Sequence, residues 1–456
     1  MTFPLRTFRR GIHPPANKFT KDAPLQEFPT PDTVFICLSQ HIGAPATPTV
    51  AVGDHVDVGQ VIASASGFVS ANVVSSVSGT VKAFCILPTA NGAEATHIEI
   101  ANDHLYTEQR LSALNEPGKD EIIQRIKDAG IVGMGGATFP THVKLMPKDP
   151  IDTLIVNGAE CEPYITCDYR LFLEEAVRVI DGVKLLMKAL DVKHAYIGIE
   201  ANKPLAIKRL AKLVPPEIDV MKLKTKYPQG AEKQLIYAIT HRTVPTGALP
   251  AKVGCVVCNT HTAYCVAKAV RDGETCYRRA MTVSGGGVEM RGNFWVRNGT
   301  PYQFIYDTCR GSVIEDVTRK VISGGPMMGM AITRTDIPVT KGTSGVLVLG
   351  EEAVDPVESA CINCGRCLRA CPMQLMPTLL DRCVRADRYD EAEKYGIMNC
   401  IECGACPFVC PAKRLLTQSC RQGKKVITTR KKAEAAKKAA AEAAKKAAEE
   451  QSKKEA

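Results

Sequence analysis

No run of 18 or more apolar residues occurs in this 456-residue chain, so no segment is predicted to cross a membrane as a helix. The opening stretch, MTFPLRTFRRGIHPP, carries basic residues but no apolar core, and predicts no secretory signal. Both readings place the chain in the cytoplasm. An excess of positive charge is also missing from most of the sequence. The net charge is +10, yet residues 421–456 hold twelve Lys or Arg against five Glu, which leaves the remainder nearly neutral. That tail has no aromatic residue to stack on bases, so nucleic acid is not expected as a partner. A chain of this length should divide into three or four domains, each with its own core.

Cysteine, by contrast, is plentiful: there are nineteen. Eight form two runs, Cys361, Cys364, Cys367, Cys371-Pro372 and Cys400, Cys403, Cys406, Cys410-Pro411. Each run is C-x2-C-x2-C-x3-C-P, the ligand spacing of a bacterial-type ferredoxin. Three thiolates at that spacing reach one cluster, and the proline turns the fourth toward the neighbouring one. Cys361, Cys364, Cys367 and Cys410 are thereby assigned to one [4Fe-4S] cluster, and Cys371, Cys400, Cys403 and Cys406 to the other. Structural zinc modules instead pair C-x2-C units from separate hairpins. Cluster thiolates need a reducing compartment, so the other cysteines read mostly as small buried hydrophobes. Cys255 and Cys258 have the spacing of a redox pair, but they lie in VGCVVCN, which predicts a buried strand with diverging side chains.

The expected fold is multidomain α/β. Residues 1–34 read as an N-terminal extension. Residues 35–110, rich in Val, Ala, Ser and Gly in short alternating runs, predict a small β domain. Its V-x-V-G-D-x-V-x-x-G-Q and S-S-V-S-G-T-V patterns resemble the barrel-sandwich hammerhead of biotinyl and lipoyl domains. No lysine stands at the hairpin tip expected around Ser70-Ala71-Asn72, so a scaffold role is read rather than a carrier of a swinging arm. Strands and helices alternate across residues 115–276, which predicts a parallel sheet with ligands at the strand C-termini. Residues 277–350 return to strand and turn. Residues 351–420 read as an α-helical two-cluster ferredoxin domain, and 421–456 as a solvated helix or a disordered tail.

The densest glycine cluster outside the tail is Gly130-Ile-Val-Gly133-Met-Gly135-Gly136-Ala-Thr-Phe139-Pro140-Thr141-His142-Val143-Lys144. Glycines let backbone N–H groups approach a phosphate, and Lys144 adds a cation. Neither G-x-G-x-x-G nor G-K-[ST] is present. Glu160 and Glu162 follow in N-G-A-E-C-E-P; exposed glutamates are usually solvated turn residues, but beside a phosphate loop they suit ribose hydroxyls or an amide. The loop and this second motif resemble the FMN and NADH loops of the flavoprotein subunit of respiratory complex I. With GIHP near the start, the hammerhead-like domain, a V-S-G-G-G-V segment and two ferredoxin runs, residues 1 to about 420 resemble the C subunit of the Rnf-type ferredoxin:NAD oxidoreductase complexes.

That resemblance implies a Rossmann-type FMN/NADH domain followed by a β-grasp domain. It implies that Gly133, Gly135, Lys144, Asn157, Glu160, Tyr227 and Asn259 hold FMN, and that Gly136, Phe139, Glu162 and Glu232 contact NADH, with Phe139 stacking. The chain departs from the family pattern at Ala159, Cys258 and Pro147. The implied cofactors are FMN, NAD(H) and two [4Fe-4S] clusters, with no catalytic side chain. The implied setting is the cytoplasmic face of the inner membrane, with integral-membrane and other members of the complex as partners and electrons arriving from ferredoxin. An acidic pair near the site favours NADH over NADPH. A flavin-free electron-conducting scaffold and a component of a quinone-reducing sodium pump are the alternative readings; the second lacks paired ferredoxin runs.

Overall fold

A computed structural model describes residues 5–310, 318–353 and 357–454, with side chains up to Ala440 and at Glu442. The chain forms two compact units, Met1–Phe8 with His13–Val354, and Arg9–Ile12 with Asp355–Ala456.

At the heart of the first unit, four parallel strands are formed by Thr153–Gly158, Ala195–Glu200, Ile218–Leu223 and Cys255–Asn259. They lie side by side in the order third, second, first, fourth. Both faces are apolar because alternate residues of each strand point oppositely. Leu154 and Val156 join the core that holds helices Ala176–Leu190 and Thr260–Arg271, while Ile155 joins the one beneath helix Glu232–Thr240. Cys258 faces the first core and Cys255 the second, so the C-x-x-C pair diverges across the sheet as its strand pattern predicts. The two long helices touch at Gly182, where a Cβ would stand 1.8 Å from the Ala263 carbonyl oxygen. That approach seats the N-terminus of Thr260–Arg271 at the C-terminal edge of the sheet.

Two smaller antiparallel sheets pack face to face through Val34, Ile36, Val56, Ile62, Val81 and Ile98. The expected domain start at 35 falls inside a strand, Thr33–Cys37, because pairing with Glu94–Asn102 begins at Thr33. The expected hairpin tip is also displaced. Ser70 and Ala71 are fully buried, since Lys341 donates to the Asn72 carbonyl at 2.6 Å and His41 bonds the backbone of Ala71 at 3.1 Å. The exposed turn is at Gly67-Phe68 instead. A six-stranded sheet runs in the order Leu25–Glu27, Gly292–Arg297, Arg278–Ser284, Gly345–Leu349, Lys320–Ser323, Met330–Ile332. Its first strand, Leu25–Glu27, belongs to the stretch read as an N-terminal extension.

In the second unit short helices Arg366–Ala370 and Ala405–Phe408 follow the starts of the two cysteine runs, and Pro377–Arg385 and Tyr389–Lys394 link them. Buried Asp381 ties the module together, accepting from Arg385, Arg414 and Ser419. The last helix, Leu416–Lys454, begins inside the module. Leu416, Cys420 and Ile427 are buried on it, and a Cβ at Gly423 would stand 2.6 Å from Val384. The expected boundary at 420 is therefore corrected: the packed part of the helix continues to about Arg430, which lies over the Tyr389 ring.

Candidate functional site

In the parallel sheet the strand order reverses between Thr153–Gly158 and Cys255–Asn259, the place where open α/β sheets bind ligands. Asn157 and Asn259 are register partners there. Asn157 accepts from Ala159 N and donates to the Gly230 carbonyl at 2.7 Å. Asn259 caps helix Thr260–Arg271 by accepting from His261 N at 2.8 Å, and donates to Asp168 Oδ2 at 2.7 Å.

The glycine loop folds over this edge. Gly133 N donates to the Phe139 carbonyl and Met134 N to Thr262 Oγ1, which bonds back to Val132. Gly135 has φ +71°, and a Cβ on it would stand 2.7 Å from Asn259 Nδ2. Gly136 opens on free space. Lys144 donates to the Val257 carbonyl at 2.9 Å and lies 3.6 Å from Glu232, at the start of its helix. Phe139 is half-buried.

The two glutamates are not solvated turn residues. Glu160, at φ +47°, accepts from the backbone of Asp168 and Tyr169. Glu162 accepts from Tyr227 OH and from Met327 and Met328 N–H, so it holds the Gly324–Gly329 loop. Both Glu162 oxygens are thus taken by amide N–H groups, whereas Glu160 uses Oε1 alone. Three residues that the sequence reading left unassigned complete the cluster. Lys18 donates to the carbonyls of Glu160, Glu162 and Ile165, and Lys203 to that of Ala159. Asp168 holds Asn259. Asp168 was visible just after N-G-A-E-C-E-P; nothing in the sequence marks Lys18, 142 residues from Glu160.

Burial raises Glu160 to about 7, against Lys18 and Lys203, which lower it; burial likewise raises Asp168 and Glu162 and lowers Lys18. The folded chain keeps a proton on Glu160 that the unfolded chain releases near 4.5. This contribution to stability is full below that value and falls as pH rises through about 7. Glu160→Gln should flatten the fall, by on the order of 3 kcal/mol, in denaturant unfolding of the flavin-free chain between about pH 5 and 8. Equal pH slopes in the two proteins would contradict it.

In the second unit Cys371, Cys400, Cys403 and Cys406 line one pocket, together with Cys420 and Thr417. The first-run cysteine Cys371 thus stands with three of the second run. Burial raises the Cys367 thiol, and Cys410 lies near enough to add to that rise. Cys364 is exposed and Cys361 half-buried. Among the described residues no three His, Cys, Asp or Glu side chains are close enough to hold a single ion.

A parallel sheet with a glycine loop at its switch point, and a module in which Cys371 lines a pocket with three cysteines of the second run, define the class of flavin- and cluster-dependent electron-transfer proteins. Comparison agrees: the family model of the Nuo51 FMN-binding domain matches residues 126–268, that of the RnfC barrel sandwich hybrid domain residues 6–105, and that of the 4Fe-4S dicluster domain residues 360–415. The C subunit of the proton-translocating ferredoxin:NAD(+) oxidoreductase complex of Clostridium ljungdahlii is 48% identical over 427 residues, covering 91% of this chain and 93% of the relative. The C subunit of the Na(+)-translocating ferredoxin:NAD(+) oxidoreductase complex of Acetobacterium woodii is 45% identical, covering 93% and 98%. The C subunit of an ion-translocating oxidoreductase complex of Rhodobacter capsulatus is 41% identical, covering 87% and 78%. The chain belongs to the family of C subunits of the ion-translocating ferredoxin:NAD(+) oxidoreductase complexes. Among the described residues no helix is long and apolar enough to cross a membrane.

Proposed function

We propose that the chain is the NAD(H)-facing peripheral subunit of a membrane-bound ion-translocating complex, exchanging electrons between NAD(H) and ferredoxin through FMN and two [4Fe-4S] clusters. The observation that carries the flavin reading is at the switch point. Glu160 Oε2 and Asp168 Oδ1 are buried there without a partner, beside the Gly135 loop, and buried acceptors call for donors. The ribityl hydroxyls of FMN supply them, and the Gly133–Gly136 backbone and Lys144 suit its phosphate.

In this reading Gly133, Gly135, Lys144, Asn157, Glu160, Tyr227 and Asn259 hold the flavin. Gly136 and Phe139 offer the open side of the loop to the nicotinamide, with Glu232 next to Lys144. Glu162 acts from behind, fixing Tyr227 and the Gly324–Gly329 loop rather than touching NADH. Bound FMN supplies the conversion between two-electron nicotinamide and one-electron cluster chemistry. The chain's own work is to orient the ring systems and to leave no acid or base between them. The six-stranded sheet is read as the β-grasp domain, and the partners as membrane-embedded members of the complex on the cytoplasmic face.

Anaerobic purification with flavin and iron quantitation tests the assignment; a flavin-free chain retaining its iron would mean an electron-conducting scaffold. Glu232→Gln and Phe139→Ala should both keep FMN and clusters yet reduce artificial acceptors from NADH poorly. A stacking contact is worth about 1 kcal/mol, so Phe139→Ala should cost several-fold, up to roughly tenfold. Wild-type NADH kinetics in both proteins would remove these residues from the site, and joint loss of flavin and melting temperature would make Phe139 a core residue.

A further inference from the structure

The turn that carries Glu160 is held in a conformation that its own residues disfavour. Glu160 and Tyr164 both sit in the left-handed region, at φ +47° and +67°, and such backbone at non-glycine residues persists only where its surroundings over-determine it. Two ammonium groups do so here. Lys203 is 4% exposed and donates to the Ala159 carbonyl at 2.7 Å. From the N-terminal segment Lys18 donates to the carbonyls of Glu160 and Glu162, each at 2.8 Å, and to that of Ile165. An ammonium has three protons, so all of them are spent on this one turn. The segment is fastened beside it as well: Tyr164 N donates to the Ala16 carbonyl at 3.0 Å, and the Thr20 and Thr166 hydroxyls share a bond of 2.6 Å.

We propose that Lys18 is a positioning residue for the flavin, acting through the backbone of residues 159–165 without touching the cofactor itself. The inference rests on the reading above, in which Glu160 is among the groups that hold FMN. Carbonyl oxygens gathered on one point repel one another unless a cation lies between them. With the ammonium in place the turn closes, and Asp168 N and Tyr169 N come to Glu160 Oε1 at 2.7 and 3.4 Å. Oε2 is then left buried and unpartnered, its place fixed by the backbone rather than by any contact with a ligand. Without the ammonium the three carbonyls part and Glu160 relaxes to the ordinary negative φ. Its carboxylate then loses its fixed place. The flavin site is in this way completed by a segment 142 residues upstream of Glu160.

The test uses the full-length, cluster-loaded protein stripped of flavin, with two readouts. Titration with FMN, followed by flavin fluorescence, gives the Kd, and hydrogen–deuterium exchange in the flavin-free chain reports the amides of residues 159–170. Lys18→Met, similar in length but without a donor, should weaken FMN binding by roughly tenfold or more, the scale of one hydrogen bond to a charged group. It should also speed exchange over residues 159–170 while iron stays at the wild-type level. Lys18→Gln, with two donors and no charge, should fall between, and serves where the Met protein does not fold. Thr20→Val removes a bond between the same segment and the same turn, and should keep an FMN affinity close to wild type. Equal losses in the Lys18 and Thr20 variants would report docking of the whole segment and overturn the proposal. Unchanged exchange in the Lys18 variants would overturn it too, as would faster exchange with an unchanged Kd. A wild-type chain that takes up no FMN, while the Lys18 variants still loosen the turn, marks failure of the flavin reading and removes the positioning role with it.

Discussion

Cys371→Ser is expected to lose about four of about eight iron atoms per chain, and to lose the spectrum of the cluster held by Cys400, Cys403 and Cys406. The residue lies in the first run, so a simple reading of the sequence would have the opposite cluster fail. The shared cavity gives the reason: its wall is built from Cys371 and the second run together. Leu375 N donates to the Cys371 sulfur at 3.4 Å, so the backbone after Pro372 is already shaped to hold a thiolate at this cavity. Iron analysis and paramagnetic resonance on the purified variant decide the matter. If the cluster of Cys361, Cys364 and Cys367 disappears while the other stays, the ligation is not crossed.

Gly135→Val should abolish flavin binding while leaving both clusters in place. A β-branched side chain at φ +71° is strained by about 1–2 kcal/mol at least, and its Cβ would press on Asn259 Nδ2 at 2.7 Å. Displacing that amide frees Asp168, one of the two carboxylates with an unpartnered oxygen. Each 1.4 kcal/mol is about tenfold in affinity, so the loss should exceed tenfold, with Gly135→Ala in between. The ferredoxin module is a separate compact unit and should keep its iron. Stoichiometric FMN in the Val protein would remove the glycine loop from the flavin site.

Legibility in the sequence followed the range of the interactions. The dicluster ferredoxin module was readable because each run sets four cysteines within eleven residues, and the parallel sheet because its strands are apolar on both faces. Asn157 and Asn259 were readable as motif positions, but their register pairing across the switch point was not. Lys18 was invisible because its partners are backbone carbonyls, which no residue type announces. The docked start of the last helix was misread for another reason. Leu416, Cys420, Gly423 and Ile427 follow a 4-3-4 spacing that marks an apolar seam, yet the Ala/Lys/Glu composition after it drew Gly423 and Ile427 into a solvated tail. Glu162 shows a third limit: its acidity suggested a nucleotide contact, whereas its partners come from a loop some 165 residues away.

The edge strand Leu25–Glu27 also carries a schedule. It pairs with Gly292–Arg297, and Asn293 reaches back to the Ala23 carbonyl across 270 residues of chain. At roughly 5 to 20 residues per second of synthesis, the first strand to leave the ribosome waits on the order of 10 to 60 s for its partner. Lys18 waits for the carbonyls it will gather during part of the same interval. The parallel sheet can close around residues 153–259 before Gly292–Arg297 is made, so the strand Leu25–Glu27 is fitted late, onto a body already built. A chain interrupted before about residue 297 would therefore present a collapsed nucleotide fold with an unpaired strand at its head, the form most exposed to proteases and to edge-to-edge association.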